Sequence, residues 1–176
     1  MRRLSNMEII ADTRETNAYR FDSCFAPLHL RNHYADVTIT RAKLDTGDYS
    51  LPGFELGIAI ERKASLTELV GNLSTSRERF EKELMRATEL ERFYVIVEAP
   101  FHLLMAGEYR SMMHPHAAVQ SVAAFMERYH IPFIFAGNRM AGEYLTWSIL
   151  HQFLRAQTPQ RFEPPAGEEK KHGRRT

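Results

Sequence analysis

The chain has 176 residues, 44% of them hydrophobic and 26% charged, which suits one soluble globular domain with a full core. No apolar run approaches the length of about 20 residues that a membrane helix needs, and the N-terminus lacks a secretory signal, so we expect a cytoplasmic protein without membrane contact. One cysteine, Cys24, excludes disulfides and multi-thiolate zinc sites, and the net charge of +1 neither favours nor excludes nucleic acid as a partner.

The first half of the chain is predicted to be rich in strands. MEIIA, residues 7–11, is a short apolar run typical of a buried strand, and DVTITRAKL, residues 36–44, alternates like a half-covered one. Turn-forming Gly47, Pro52 and Gly53 follow, and GIAIERK then forms another strand. Together these segments predict an antiparallel hairpin or meander.

Two helices are predicted next, because residues 65–68 and 75–78 both have the Ser/Thr-x-x-Glu pattern of a capping box. The second helix is predicted to end near Leu90. Its apolar stripe consists of Phe80, Leu84 and Ala87.

The second half alternates buried strands, at 93–98 and 131–136, with helices, at 115–129 and 142–155. This order is that of an α/β fold. After Ala156 the composition becomes rich in Pro, Gly and charge, which cannot bury enough apolar surface to remain ordered. We therefore predict one domain over residues 1–156 and a flexible charged tail over residues 157–176.

The segments GDY, at 47–49, and IERK, at 60–63, gather charge. Because side chains alternate along a strand, Glu61 and Lys63 share a face, and a hairpin would bring Asp48 beside them. Hydrolysis of a phosphodiester needs a hard cation with oxygen ligands, so Asp48 and Glu61 suit Mg²⁺ or Mn²⁺, and Lys63 would orient the attacking water. The alternative is a surface Glu61–Lys63 pair with Asp48 serving its turn, but charge at the end of an apolar run favours a site.

Asp12 and Glu15 follow the first strand, and strand ends are where sites collect in α/β sheets. The alternative is a helix cap, and both roles can coexist. His114 and His116 lack a third ligand at suitable spacing, so we do not predict a metal site there.

The series IIADTRE, GDY, IERKASLTELVGNLSTSRERFEKEL and FYVIVE resembles the nuclease domain of the XPF-type structure-specific endonucleases. The resemblance spans roughly residues 7–155, and GD followed by ERK is its most specific part. It implies a restriction-endonuclease-like core, with a central mixed β-sheet flanked by helices, and an endonuclease that cuts DNA at branches or junctions with Mg²⁺ or Mn²⁺. The compact length suggests, by resemblance only, a stand-alone prokaryotic or phage form.

The resemblance also implies roles for individual residues. Asp48, Glu61 and Asp12 would hold the metal, Glu15 would complete the acidic site, and Lys63 would be the catalytic lysine. The DNA contacts would be the middle residue of ERK, the arginine that opens the next helix, and the basic face of that helix: Arg62, Arg77, Arg79, Lys82 and Arg86. The alternative for the helix residues is a solvated face.

One position departs from the family pattern. The family usually has an aspartate four residues after the lysine, where this chain has Thr67, and the nearest acid is Glu68. Glu68 either replaces that aspartate or serves only as the capping partner of Ser65.

The resemblance also bears on partners. Full-length members of the family often carry a tandem helix-hairpin-helix domain after the nuclease domain, and the residues after Arg155 are too few for one. We therefore expect DNA specificity from a homodimer through residues 117–155, from a partner protein, or from the basic tail 170–175. The rival hypotheses are a non-catalytic nuclease-like domain that binds DNA or scaffolds a partner, and an interaction module with solvated acids.

Overall fold

The computed structural model describes residues 7–21 and 37–157, which form six strands and five helices. The strands are β1 Met7–Asp12, β2 Val37–Ala42, β3 Tyr49–Ser50, β4 Ile58–Lys63, β5 Arg92–Val97 and β6 Phe133–Phe135. The helices are α1 Leu66–Leu73, α2 Arg77–Ala87, α3 Phe101–Ala106, α4 Pro115–Tyr129 and α5 Arg139–Gln157. Cys24 and residues 158–176 of the predicted tail lie outside the described ranges.

All six strands belong to one sheet in the order β2-β1-β3-β4-β5-β6. The pairs β1–β2, β4–β5 and β5–β6 are parallel, whereas β3 is antiparallel to both β1 and β4. Because β3 alone is reversed, its first residue lies at the edge where the other five strands end. The predicted mixed sheet with flanking helices is confirmed.

The predicted antiparallel meander is wrong for the first two strands, and the antiparallel neighbour of β4 is the short strand β3. β1 and β2 pair in parallel, from Met7 opposite Val37 to Asp12 opposite Ala42. A parallel pair needs a crossover of a dozen or more residues, which the 24 residues between these strands provide. β3 and α3 were not predicted, because two and six residues are too short to show a period.

The capping box predicted at Ser65 is present at the start of α1. The Ser65 hydroxyl accepts a hydrogen bond from the Glu68 amide at 3.1 Å, and the Glu68 carboxylate accepts one from the Ala64 amide at 2.9 Å. Glu68 is therefore the capping partner in this structure, and its side chain is exposed. The position of the family aspartate is occupied by exposed Thr67.

The second predicted capping box is wrong. The Thr75 hydroxyl donates to the Gly71 carbonyl at 3.3 Å instead of capping α2, which begins at Arg77. The Ser76 amide also donates to Gly71, at 2.9 Å, so these residues complete the end of α1. The helix ends at Ala87, three residues before the predicted end.

The core has two layers, one on each face of the sheet. Helices α1 to α4 pack on one face with Ala59 and Val95, and α5 packs on the other with Ile60 and Ile96. The alternation of β4 sends Glu61 and Lys63 towards the first layer and Arg62 towards the second. Within the described ranges, no helix combines the length and apolar character of a membrane span.

Gly142 allows α5 to approach the sheet closely. A Cβ at this position would lie 2.6 Å from the Tyr19 hydroxyl and 3.3 Å from Cγ of Glu98. Gly71 in α1 has open space around it, with no heavy atom within 4 Å of an added Cβ. The two helical glycines therefore differ in packing and share the same intrinsic helix propensity.

We predict opposite effects of alanine at these two glycines. Gly142→Ala should lower the free energy of unfolding by about 1–3 kcal/mol, because the buried Tyr19 ring has to move. Gly71→Ala should raise it by about 0.5–1 kcal/mol through helix propensity. Urea denaturation measures both, and an equal gain from both substitutions would contradict the packing argument.

Candidate active site

The charged side chains gather at one edge of the sheet. Asp12 ends β1, Lys63 ends β4, and Glu98 directly follows β5. Asp48 joins them because it directly precedes the reversed strand β3. The sheet topology thus brings together residues that lie far apart in the sequence.

Asp48 is fixed by backbone hydrogen bonds to its neighbouring strands. Its amide donates to the Ile60 carbonyl at 2.8 Å, its carbonyl accepts from the Asp12 amide at 2.8 Å, and its carboxylate accepts from the Arg62 amide at 2.8 Å. Gly47 precedes it at φ +80°, where a Cβ would lie 3.1 Å from Cβ of Ala59. The close approach of this turn to β4 therefore suits a glycine.

The pKa of Asp48 is raised well above its ordinary value. Burial is the main cause and the negative charge of Glu61 is the next, with a smaller contribution from Glu15. The Arg62 amide and the Lys63 ammonium oppose this rise but do not cancel it. The charge of Glu61 thus acts on Asp48, and the β3–β4 hairpin brings Asp48 beside β4 as predicted.

Glu61 and Lys63 form an ion pair inside the protein. Their side chains are 8% and 4% exposed, so the alternative of a surface pair is wrong. The Lys63 ammonium also lies 4.7 Å from the centre of the Phe80 ring. Although burial favours the neutral amine, the charge of Glu61 and its hydrogen bond raise the pKa of Lys63.

Glu83 of α2 also reaches this site, and it was not predicted from the sequence. Its half-buried carboxyl group hydrogen-bonds to Glu61, and its pKa is raised to about 7 by burial and by the charge of Glu61. Helical spacing carries a signal for it, because Glu83 lies three residues after Phe80 and directly before Leu84, at the border of the apolar stripe. A carboxylate at that border faces the strand below the helix.

Asp12 is almost fully buried and is held by the chain around it. Its carboxylate accepts hydrogen bonds from the Arg14 amide and Nε at 2.7 Å and from the Leu44 amide at 2.6 Å. Burial acts to raise the pKa of Asp12, but these hydrogen bonds, led by the Arg14 side chain, lower it overall. No helix follows Asp12 in the described segment up to residue 21, so the helix-cap alternative is wrong.

Arg62 and Glu15 belong to the α5 side of the sheet. Arg62 donates to Glu98 from Nε at 2.7 Å and from Nη2 at 3.0 Å, and its Nη1 lies 3.3 Å from Glu15. The guanidinium also lies 4.9 Å from the centre of the Tyr19 ring. Arg62 is buried among these groups, so its DNA contact stays a prediction that this geometry does not favour.

The basic residues of α2 differ in their surroundings. Arg77 binds Glu81 at 3.0 Å and the Ser121 hydroxyl at 3.2 Å, which ties α2 to α4. Lys82 forms an exposed pair with Glu78 at 2.7 Å. In the described part of the chain, the exposed side chains of Arg79 and Arg86 form no salt bridge within 4 Å.

The histidines have a structural role at the start of α4. His114 is the N-cap residue, and its Nδ1 accepts a hydrogen bond from the His116 amide at 3.2 Å. Within residues 7–21 and 37–157, no three or more His, Cys, Asp or Glu side chains form a cluster that could hold a metal. Any metal at the sheet edge would therefore have at most two protein ligands of these types in this arrangement.

Comparison with known proteins supports the resemblance to XPF-type nuclease domains. A family model described as the ERCC4 domain matches residues 11–146. One similar solved structure is XPF from Aeropyrum pernix, with a TM-score of 0.61 and 21% sequence identity; the match covers 84% of this chain and 65% of that chain. A second is XPF from Aeropyrum pernix in complex with DNA, with a TM-score of 0.62 and 20% sequence identity; the match covers 89% of this chain and 70% of that chain. These likenesses confirm the predicted core fold. No curated protein sequence gives a significant match.

The raised pKa of Glu83 predicts how stability depends on pH in the absence of divalent metal. The folded carboxyl group keeps its proton up to about pH 7, whereas its ordinary pKa is 4.5. The free energy of unfolding should therefore fall as the pH rises between these values. At pH 8, Glu83→Gln should be more stable than the wild type by about 1–3 kcal/mol, and this difference should vanish below about pH 4.5.

Urea denaturation between pH 4 and pH 8 tests this prediction. Glu78→Gln is the matched control, because Glu78 lies on the same helix with its side chain exposed and paired to Lys82. No gain in stability is expected for that variant. Parallel pH profiles for wild type and Glu83→Gln would contradict the electrostatic account.

Proposed function

This chain belongs to the ERCC4 domain family, and we propose that it is a metal-dependent DNA endonuclease acting on branched or junction DNA. The observation that carries the proposal is the group formed by half-buried Asp48 and buried Glu61 and Lys63 at the edge where the strands end. Burying charge is unfavourable unless it is compensated, so a group of this kind is a candidate functional site.

Asp48 and Glu61 fit a hard divalent cation. Mg²⁺ is usually held by one or two carboxylates, with water and substrate phosphate as further ligands, so two protein ligands suffice. The repulsion between Asp48 and Glu61, which raises the pKa of Asp48, is what a cation between them would relieve. When bound, Mg²⁺ or Mn²⁺ would lower the pKa of a water molecule and neutralise charge on the phosphate.

The remaining groups would orient and balance this site. Lys63, held by Glu61 and by the Phe80 ring, presents an ammonium that would orient a nucleophilic water or offset phosphate charge. The carboxylate of Asp12 binds the amide of Arg14 in the following turn, and the backbone amide of Asp12 donates to the Asp48 carbonyl. We therefore propose that Asp12 and Glu15 shape the site, and a direct metal contact by Asp12 stays a prediction.

DNA is the proposed substrate for two reasons. The XPF structure from Aeropyrum pernix in complex with DNA has the same fold, and exposed arginines lie on α2 next to the acidic group. At 100° per residue, Arg79 and Arg86 lie within about 60° of Glu83 around the helix, whereas Lys82 lies about 100° away. Homodimerisation through residues 117–155 and the cytoplasmic location stay predictions.

We predict that Asp48→Asn and Glu61→Gln each lower the rate of DNA cleavage by a factor on the order of 10³ or more, because the charge stabilisation supplied by a metal is worth several kcal/mol. Asp45→Asn is the matched control, since Asp45 is an exposed acid three residues before Asp48. Cleavage of labelled duplex, flap and fork DNA is measured with Mg²⁺, Mn²⁺ or EDTA.

Retention of the wild-type rate in Glu61→Gln would remove Glu61 from the mechanism. If the folded wild type cuts none of these DNAs with either metal, the endonuclease proposal fails. DNA binding without cleavage would then favour the non-catalytic nuclease-like domain.

The arrangement on α2 predicts which basic residues contact phosphate. Arg79→Ala and Arg86→Ala should each weaken DNA binding and reduce the salt slope of the affinity by about 1. Lys82→Ala should change the slope less, because Lys82 is already paired with Glu78. Fluorescence anisotropy in EDTA at several salt concentrations measures these slopes, and equal losses from all three variants would contradict the assignment.

A further inference from the structure

The segment from Phe101 to Met113 begins at the sheet edge that carries Asp48, Glu61 and Lys63, which we call the catalytic edge. β5 ends at Val97, next to the end of β4 at Lys63, and α3 starts four residues later at Phe101. After α3 the chain turns at Gly107, where φ is +78°, and runs as a loop to the cap of α4. We call residues 107–113 the α3–α4 loop.

The α3–α4 loop is held by its own hydrogen bonds. The Tyr109 hydroxyl donates to the Met113 carbonyl at 2.9 Å, and the Met113 amide donates to the Ser111 hydroxyl at 3.2 Å. Tyr109 and Met113 also pack against the helical core layer. The loop therefore has an inner, packed side, and its outward residues keep defined positions.

Thr67 attaches this loop to α1 beside the active site. The Thr67 hydroxyl accepts a hydrogen bond from the backbone amide of Arg110 at 3.1 Å. Thr67 is the second residue of α1, four residues after Lys63, and it occupies the position where the family usually has an aspartate. In this chain that position thus fixes a loop next to the catalytic edge.

The outward residues of this segment are basic and apolar. Arg110 is exposed, and Met112 is fully exposed at 101% of its reference surface. Phe101 and Met105, one helical turn apart on α3, are 41% and 60% exposed. Single exposed apolar residues are normal on protein surfaces, but three of the seven large ones in the described chain lie within these 13 residues.

We propose that the α3–α4 loop is a DNA-contacting element, in which Arg110 binds a backbone phosphate and Met112 packs against an unstacked base at a branch point. The proposal rests on the proposed DNA endonuclease function and names the residues that distinguish branched from continuous duplex DNA. Apolar side chains that insert at base steps are a known means of binding distorted DNA, and arginine is the usual phosphate contact.

DNA is favoured over a protein partner because of where the loop lies. The loop is hydrogen-bonded to Thr67, which lies four residues after Lys63. DNA positioned for cleavage beside Lys63 would therefore pass close to the loop. The loop also presents an arginine beside the methionine, which suits a phosphate next to a base. A protein-docking role would leave DNA affinity unchanged when Arg110 and Met112 are altered.

The test measures the affinity for labelled flap DNA and for a continuous duplex of equal length by fluorescence anisotropy, with EDTA to prevent cleavage. Arg110→Ala should weaken binding to both by about tenfold and reduce the salt slope by about 1. Its backbone amide remains, so the attachment to Thr67 stays intact. Met112→Ser should weaken binding to the flap by about fivefold and to the duplex by less than about twofold, because only the flap offers an unstacked base.

Matched controls come from the opposite edge of the sheet. Arg92→Ala and Leu56→Ser alter an exposed arginine and an exposed leucine near the starts of β5 and β4, and both should bind as the wild type does. Thr67→Val removes the acceptor for the loop and should lower flap affinity, whereas Thr67→Ser keeps the hydroxyl and should preserve it.

Flap binding by Arg110→Ala and Met112→Ser at wild-type affinity would overturn the proposal while leaving the endonuclease function untouched. Equal losses on flap and duplex in Met112→Ser would overturn the branch contact of Met112. A wild-type protein that binds and cleaves no DNA would instead overturn the proposed function itself.

Discussion

The burial of three consecutive charged residues at the end of β4 is the constraint on which the site depends. Glu61, Arg62 and Lys63 are all buried, and each buried charge costs several kcal/mol unless it is paired. The alternation of the strand divides this charge between two faces. Each face of the sheet must therefore supply opposite charges or hydrogen bonds for the β4 side chains that it buries.

The two faces solve this problem differently. On the α5 side, Arg62 is balanced by Glu98 and Glu15, and Arg139 donates to the carbonyls of residues 17 and 18 at 3.0 and 2.9 Å. On the α1–α2 side, Lys63 is the buried cation facing Asp48, Glu61 and Glu83. On the α5 face Arg62 is thus paired with carboxylates, whereas on the other face the charge of Glu61 raises the pKa of both Asp48 and Glu83, and a divalent cation would offset that repulsion.

Local patterns in the sequence allowed much of the site to be predicted. Charge that terminates an apolar strand, together with a Gly-Asp turn before it, indicated Asp48, Glu61 and Lys63, because both signals lie within the 17 residues from Gly47 to Lys63. Glu83 was not predicted, because its contact with the site depends on how α2 lies over β4. The parallel pairing of β1 with β2 was not predicted for a similar reason, because a long connection between two strands allows either parallel or antiparallel pairing.

The arrangement that we propose to bind a metal also lowers the stability of the metal-free protein. Raised pKa values at Asp48 and Glu83 mean that ionising these groups opposes folding. A ligand that binds only the folded state increases stability in proportion to RT ln(1 + [L]/Kd). A cation at this edge would therefore offset the electrostatic cost of the site, and because β1, β3 and β4 all meet there, it would also strengthen the centre of the sheet.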